Sequence, residues 1–390
     1  MEKFEFYNPT KIIFGGGEVT KIGDVLKGTV ETVLLVMGSG SARHTGAFQK
    51  VKDSLESSGV RFEILEGVKS NPLLSKVREG IKIAREKKLD GVLALGGGSV
   101  MDSAKAIAAG AVMDDRDIWD AFLGKAEIKS ALPVFTIPTL AASGSEMNGY
   151  MVITDEQSGH KLATASILLY PKVSILDPEL TYSVSKDYTA YGGVDAVCHL
   201  MEPYFNGPAP FTPVQDALAE GLMRTIMEAT EGCISDPTSY EHRGAMMWGA
   251  TLALNGLTKA GVGDHHFPVH LIEHAVSAIY NVPHGAGLAA LLPGWMRYFS
   301  QKRPERLIKF STNVMGVEEQ ADSMATIEMG IEAFSAWLKS IDVPICLGDL
   351  NIGEDAIDAI AENALVQSKI WGMEKVYDRD TIREVLSFAL

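Results

Sequence analysis

Asp195 and His199 stand four residues apart in the run Gly192-Gly-Val-Asp-Ala-Val-Cys-His199. That spacing puts one carboxylate and one imidazole on the same face of a helix. His270, in His270-Leu-Ile-Glu-His274, and His284, in Pro283-His284-Gly285, fall within a window from His265 to His284 that holds five of the nine histidines. Three imidazoles and one carboxylate suit Zn²⁺ or Fe²⁺ far better than Mg²⁺ or Ca²⁺, which want oxygen. Taken alone, the Asp195/His199 pair reads more readily as a salt bridge on a helix.

A second chemistry is written in glycines. Gly96-Gly-Gly-Ser99 follows an apolar strand-like run and opens a helical pattern carrying Asp102, Ser103 and Lys105. Glycines let the backbone approach a phosphate, and the free N–H groups of a helix start attract its charge. The competing reading is a plain tight turn. Gly38-Ser-Gly-Ser41 ends an earlier strand. A site built for NAD is expected to place an acidic residue near such a strand end, to accept hydrogen bonds from the adenosine ribose. The turn has none, and Arg43 follows with a positive charge, so Gly38, Ser39, Gly40 and Ser41 point to NADP(H), with NAD(H) as the second choice. An Arg43 that is merely a solvated surface charge is the alternative.

These groups need a frame. Through about residue 180, short apolar runs (33–37, 61–65, 91–95, 131–137) alternate with helical patterns (48–58, 73–88, 101–112), the signature of a parallel sheet flanked by helices. Runs 151–154 and 161–164 flank a polar loop and read as a β-hairpin. After Asp177-Pro178 long Ala/Met/Leu-rich helical patterns take over (214–229, 243–260, 269–280, 326–340, 354–367). The expected organisation is an α/β dinucleotide-binding domain over 1–183 and an all-helical metal-binding domain over 184–390.

Composition narrows the function. The chain has 390 residues, 46% hydrophobic and 22% charged, which suits about two globular domains. A formal net charge of -15 argues against a nucleic-acid or anionic-membrane surface. There is no run of roughly 18 uncharged apolar residues and no signal-peptide pattern, so a cytoplasmic protein is the expectation. Cys198, Cys233 and Cys346 are widely spaced and odd in number, so neither a disulfide framework nor a cysteine zinc knuckle is readable, and reduced thiols are the expectation.

In combination these segments resemble the iron-dependent (group III) alcohol dehydrogenase family, in its butanol dehydrogenase-like branch. The resemblance rests on Gly96-Gly-Gly-Ser99 with Asp102 and Lys105, Pro138-Thr-Leu-Ala-Ala-Ser-Gly-Ser-Glu146, Gly193-Val-Asp-Ala-Val-Cys-His199 and His270-Leu-Ile-Glu-His-Ala-Val-Ser-Ala-Ile-Tyr-Asn-Val-Pro-His-Gly285, and it runs from Tyr7 to the C-terminal helices. It implies a Rossmann-like N-terminal domain, a helical C-terminal domain in a dehydroquinate synthase-like architecture, and catalysis in the cleft between them. It implies that Asp195, His199, His270 and His284 ligate one divalent metal, Fe²⁺ or else Zn²⁺, and that His274 stands beside the nicotinamide rather than on the metal. Gly97, Gly98 and Ser99 would hold the pyrophosphate, Thr139, Leu140 and Ser143 would border the nucleotide, and Lys161 would bind its ribose. Asn71 and Asp102 complete the expected cofactor set.

The implied activity is reversible hydride transfer between NADP(H) and a primary alcohol or aldehyde such as butanol or butyraldehyde, in a homodimer or larger homo-oligomer. Two departures stand out. Leu140, Ala142 and Ser143 replace the Thr, Gly and Thr common in the family's Pro-Thr-Thr-Ala-Gly-Thr-Gly-Ser-Glu segment, and Asp264-His265-His266-Phe267 matches no motif. Met147, Tyr150, Met151, Phe267 and Trp371 are candidates for an apolar substrate pocket, with ordinary core packing as the alternative. The competing functions are a metal-dependent lyase of the dehydroquinate synthase type, and a non-catalytic nucleotide- or metal-binding protein.

Overall fold

The computed structural model describes residues 1–113 and 116–390. The chain divides into an α/β unit, Tyr7–Val184 with Pro237–Thr251, and a helical unit made of Met1–Phe6, Ser185–Asp236 and Leu252–Leu390. Two segments therefore cross a single division near residue 183: the first six residues join the helical unit, and Pro237–Thr251 joins the α/β unit.

The strands of the α/β unit are β1 (Lys11–Phe14), β2 (Thr32–Gly38), β3 (Arg61–Val68), β4 (Gly91–Gly96), β5 (Val134–Pro138), β6 (Tyr150–Asp155), β7 (His160–Ala165) and β8 (Val173–Leu176). Its helices are α1 (Ile22–Leu26), α2 (Ser41–His44), α3 (Ala47–Ser58), α4 (Leu74–Glu86), α5 (Gly98–Gly110) and α6 (Trp119–Phe122). Six strands form one parallel sheet in the order β1-β8-β5-β4-β2-β3. Central strands covered on both faces must be apolar throughout, and Val33–Met37 and all of β4 are buried. On one face Val33, Leu35 and Met37 pack with Ile22 and Leu26 of α1 and Val51 and Leu55 of α3. The four-residue strands β1 and β8 are not anticipated from sequence, because a run so short carries no periodic signal.

Without the edge strand β1, the order β3-β2-β4-β5-β8 is the 2-1-3-4-5 pattern of a doubly wound sheet. Its direction reverses between β2 and β4, and ligands of such sheets bind outside the carboxyl ends of the strands at that reversal. β2 ends at Gly38 and β4 at Gly96, so both glycine turns lie at the same crevice. The hairpin forms as expected, with Tyr150 opposite Ala165 and Asp155 opposite His160. The Asp155 carboxylate accepts the N–H groups of Gln157 and Ser158, and Gly159 closes the turn at φ +67°.

The helical unit is built from α7 (Lys186–Asn206), α8 (Pro213–Ser235), the last residues of α9 (Tyr240–Ala253), α10 (Pro268–Tyr280), α11 (His284–Ser300), α12 (Pro304–Asn313), α13 (Ser323–Ser340), α14 (Ile357–Ile370) and α15 (Arg379–Phe388). Helix α7 lies so close to α8 that a Cβ on Gly193 would sit 2.2 Å from Thr230 Oγ1. Arg306 of α12 grips Asp216 of α8 through two hydrogen bonds of 3.0 and 2.9 Å, and donates from Nε to the Tyr204 carbonyl of α7 at 2.6 Å. The helical pattern expected over 243–260 stops at Ala253. There the Asn255 side chain accepts the Leu257 N–H at 2.9 Å, and Gly256 turns the backbone to φ +96°. Among the described residues no helix is long and apolar enough to cross a membrane.

A lysine is buried outright in the α/β unit. Lys105 of α5 is 0% exposed, and its ammonium donates to Ser145 Oγ (2.8 Å), Asn148 Oδ1 (3.2 Å) and the Tyr150 carbonyl (2.9 Å). Burial pulls its pKa from 10.5 down to about 8, against the pull of Asp102 and Glu146. Between those values the unfolded chain binds a proton that the folded chain releases, so this group makes stability rise with pH across that window and costs about 3 kcal/mol at neutral pH. The unfolding free energy of the wild type, minus that of Lys105→Met, should climb by about 2 kcal/mol between pH 8 and 10. A flat difference in denaturant titrations at those pH values would mean that Lys105 carries no such penalty.

Candidate metal centre and nucleotide cradle

The metal candidates come from three helices. Ser185 caps α7 by accepting the Tyr188 N–H, and one turn apart along that helix lie Asp195 and His199, both buried. Helix α10 begins with Pro268 at its first position and brings His270, Glu273 and His274 inward. His284 is the first residue of α11, which lies against α7 so tightly that a Cβ at Gly285 would meet the Tyr191 carbonyl at 2.3 Å. Glycine next to His284 is therefore a packing requirement of this site.

The structure brings all four side chains together. Asp195 Oδ1 lies 3.5 Å from His199 Nδ1, 3.5 Å from His270 Nε2 and 3.7 Å from His284 Nε2. Asp195 Oδ1, His199 Nδ1 and His270 Nε2 are buried, and none has a hydrogen-bond partner among the described residues. Buried polar atoms are otherwise paired, so three orphans facing one another call for an occupant. Four donors about 2.1 Å from a shared ion would stand roughly 3.4 Å apart, close to the spacing seen. The residues fit a divalent ion of the Fe²⁺ or Zn²⁺ type.

Electrostatics agree with that fit. Burial opposes the Asp195 charge, but the surrounding imidazoles of His199, His270 and His284 hold its carboxyl well below the usual range. Burial, with its neighbouring imidazoles and Lys259, pushes His199 down to about 3, which leaves it neutral and able to offer a lone pair. Burial likewise drives the Cys198 thiol up, with Glu202 adding to the effect, so Cys198 is an inert neighbour.

Two carboxylates overlooked in the sequence orient the rings. Glu202, 0% exposed, lies on the same face of α7 as Asp195 and His199 and hydrogen bonds His270 Nδ1 through Oε2. Its Oε1 accepts the N–H groups of Val269 (2.5 Å) and His270 (3.4 Å), so it also caps α10. Against the cost of burial, this carboxylate raises the basicity of His270. Glu273, also 0% exposed, hydrogen bonds His284 Nδ1 and the Ser277 hydroxyl. With Nδ1 engaged, each imidazole presents Nε2 to the cluster, the arrangement that tunes metal-bound histidines. Their signals were present as spacing: Glu202 falls seven residues after Asp195, and Glu273 sits inside the His270–His274 segment.

His274 stands one turn beyond His270, its ring centroid 5.7 Å from that of His284 and 6.2 Å from that of Trp371. The carboxamide of Gln367, a buried residue of α14, holds its Nδ1. The unassigned segment 264–267 belongs here too. The Phe267 ring meets those of His270 and His199 at 5.7 and 6.4 Å, and His266 is tied through its backbone to Asn206 at the end of α7. Among the pocket candidates, Phe267 and Trp371 flank the histidines, whereas Met151 is 0% exposed in the core of the other unit.

In the α/β unit Gly97 is the N-cap of α5, leaving the first-turn N–H groups of Gly98 and Ser99 to meet an anion. A Cβ on Gly98 would lie 2.6 Å from Ser143 Oγ, and one on Gly97 would lie 3.5 Å from Leu140, while the Thr139 N–H bonds the Gly96 carbonyl at 3.1 Å. Gly97, Gly98, Thr139, Leu140 and Ser143 thus form one cradle. Gly38 approaches it, with Val100 of α5 at 4.0 Å from a Cβ placed there. Asn71, at φ +54°, precedes Leu73, which bridges to Thr154, and Thr154 pairs with Lys161, so Asn71 and Lys161 share one edge. Asp102, also expected in the cofactor set, is anchored within the α/β unit. Its oxygens accept the Ser145 hydroxyl (2.8 Å) and the Val152 N–H (3.0 Å), which ties α5 to the cradle loop and the hairpin.

The absence of an acid near the adenosine turn is corrected by the structure. Glu66 of β3 reaches Arg43 of α2, accepting from Nε at 2.9 and 3.0 Å, and pairs with Nη2 at 2.9 Å. Sequence could not place it there, since the acid comes from the neighbouring strand rather than from the turn. Ser39, Gly40 and Ser41 remain as expected at the end of β2, with Gly40 at φ +127°.

If the buried carboxylates orient the rings, Glu202→Gln should weaken Fe²⁺ or Zn²⁺ binding about 10- to 100-fold in chelator competition. Unchanged affinity with unchanged helix content would reduce Glu202 to a packing role.

Comparison with known proteins agrees with both halves of this geometry. Residues 9–178 match the model of the iron-containing alcohol dehydrogenase family, and residues 189–390 match that of the Fe-containing alcohol dehydrogenase family, C-terminal. The chain is 41% identical to probable NADH-dependent butanol dehydrogenase 1 of Bacillus subtilis, with all of both chains covered. It is 33% identical to NADPH-dependent aldehyde reductase YqhD of Escherichia coli over 92% of each. The crystal structure of NADH-dependent butanol dehydrogenase A from Thermotoga maritima superposes with a TM-score of 0.94 at 44% identity, covering 100% of this chain and 99% of that one. The chain therefore belongs to the iron-containing (group III) alcohol dehydrogenase family, in its butanol dehydrogenase-like branch, and is an NAD(P)-dependent alcohol dehydrogenase.

Proposed function

We propose that this enzyme interconverts a short primary alcohol and its aldehyde, of the butanol and butyraldehyde class, with NADP(H) preferred and NAD(H) accepted. The observation that carries the reading is the convergence of Asp195 Oδ1, His199 Nδ1 and His270 Nε2, buried without hydrogen-bond partners among the described residues, beside His284 Nε2. In this reading those four side chains hold one divalent ion, Fe²⁺ before Zn²⁺. Bound there, the ion supplies Lewis acidity toward the substrate oxygen, and the nicotinamide supplies or accepts the hydride.

The chain's own residues do the rest. Glu202 and Glu273 fix His270 and His284 by their Nδ1 atoms. Gln367 engages His274 at Nδ1 and fixes its ring, the group that would exchange the alcohol proton. Phe267 and Trp371 supply apolar walls suited to an alkyl chain. The N–H groups of Gly98 and Ser99 grip the pyrophosphate, and Thr139, Leu140, Ser143, Asn71 and Lys161 border the nucleotide. Family membership sets aside the lyase and the non-catalytic readings. Relatives are named both NADH-dependent and NADPH-dependent, so the cofactor preference rests on Arg43, although Glu66 engages it, and on a Gly38–Ser41 turn that carries no acid of its own.

His270→Ala and His284→Ala should each lose the metal on elemental analysis and lose turnover of butyraldehyde, while NADPH still binds by fluorescence. Full activity in a verified metal-free variant would sink the metal assignment. Separately, kcat/KM with butyraldehyde should be higher for NADPH than for NADH, and a clear NADH advantage would overturn the cofactor preference.

A further inference from the structure

Arg43 lies in α2, the single turn that starts at Ser41, directly after the glycine turn ending β2. Its guanidinium is engaged on two sides. One plane rests 4.1 Å from the centroid of the Phe48 ring, and the fork is taken by both oxygens of Glu66. This is the bidentate geometry with which arginine binds carboxylates and phosphates alike.

Glu66 owes its position to an irregularity of the sheet. Val36 pairs with Leu65 and Gly38 with Val68, so Glu66 and Gly67 together stand opposite Met37 alone. Two residues against one make a bulge, and Gly67 supplies the φ of +97° there. Bulges re-aim side chains, and this one delivers a carboxylate from β3 to the carboxyl end of β2, beside the reversal point of the sheet. Both partners are partly open to solvent, with side-chain exposures of 42% for Arg43 and 34% for Glu66. An exposed pair adds little to stability, so it can be exchanged at small cost to the fold.

We propose that Glu66 is a specificity-determining residue, a built-in competitor that occupies the Arg43 fork and sets how strongly the enzyme prefers a 2′-phosphorylated adenosine cofactor. This rests on the reading above that the Gly38–Ser41 turn receives the adenosine ribose. When a 2′-phosphate enters, its oxygens and the Glu66 carboxylate seek the same guanidinium, and their like charges repel. When the cofactor lacks that phosphate, Glu66 keeps the guanidinium neutralised. Arg43 favours NADPH, Glu66 tempers that preference, and Phe48 keeps the guanidinium plane in place for either partner.

NADPH and NADH differ only by the 2′-phosphate, so their dissociation constants, read from reduced-nicotinamide fluorescence, isolate this contact. Glu66→Gln should bind NADPH about fivefold more tightly and leave NADH within about twofold. Arg43→Gln should weaken NADPH about tenfold with NADH little changed. The double variant Arg43→Gln/Glu66→Gln should match Arg43→Gln, because the competitor acts only through the arginine. A Glu66→Gln protein whose NADPH to NADH ratio equals that of the wild type overturns the inference, as does an equal gain for Glu66→Gln in the presence and absence of Arg43. If the wild type binds neither nucleotide, the nucleotide reading fails and this one falls with it.

Discussion

A carboxylate removed from water must find partners for its charge, and in the helical unit Glu202 is that carboxylate. Its desolvation would cost several kcal/mol if uncompensated. Two backbone N–H groups at the start of α10 and the Nδ1 of His270 compensate it together. One side chain thereby fixes where α10 begins against α7, which way the His270 ring faces and which of its nitrogens stays available. Glu273 repeats the device for His284 at the start of α11. The orphaned atoms of Asp195, His199 and His270 face one another, and the Nδ1 atoms of His270 and His284 are held away from that cluster by the two glutamates.

The α/β unit uses the opposite charge to similar effect. Lys105 reaches inward from α5 and holds Ser145, Asn148 and the Tyr150 carbonyl, while Asp102, one turn earlier, holds Ser145 and Val152. The loop that carries Thr139, Leu140 and Ser143 is pinned to the helix whose first turn offers the N–H groups of Gly98 and Ser99. A glycine-rich turn is soft by itself. Here a buried ammonium lends it rigidity, and the depressed pKa of that ammonium is the cost of doing so.

What could be read from sequence was what is local. The i,i+4 spacing of Asp195 and His199, the glycine turns at 38–41 and 96–99, and the hairpin around Gly159 each depend on neighbours within a few residues, and each forms where its pattern lies. The contacts that complete the site are not local. Glu202 and His270 are 68 residues apart, His274 and Gln367 are 93 apart, and Glu66 meets Arg43 across two strands. Pro293 interrupts the helical pattern of α11, and in 254–260 the Ala, Leu and Lys residues mask the break that Asn255-Gly256 makes. The match to Asp264-His265-His266-Phe267 was missing for a related reason: its value lies in packing Phe267 against rings that belong to distant helices.

The reversal of the sheet between β2 and β4 has a consequence for how such a nucleotide site can diverge. The glycine cradle is built on β4 and α5, with the loop after β5, whereas Gly38, Arg43 and Glu66 belong to β2, α2 and β3. In the proposed reading the two ends of the cofactor fall to separate stretches of chain on one sheet. In the proposed reading, substitutions at Arg43 or Glu66 would retune one end while the buried Lys105 network holds the other in place, which would make cofactor choice a replaceable module rather than a property of the whole binding site.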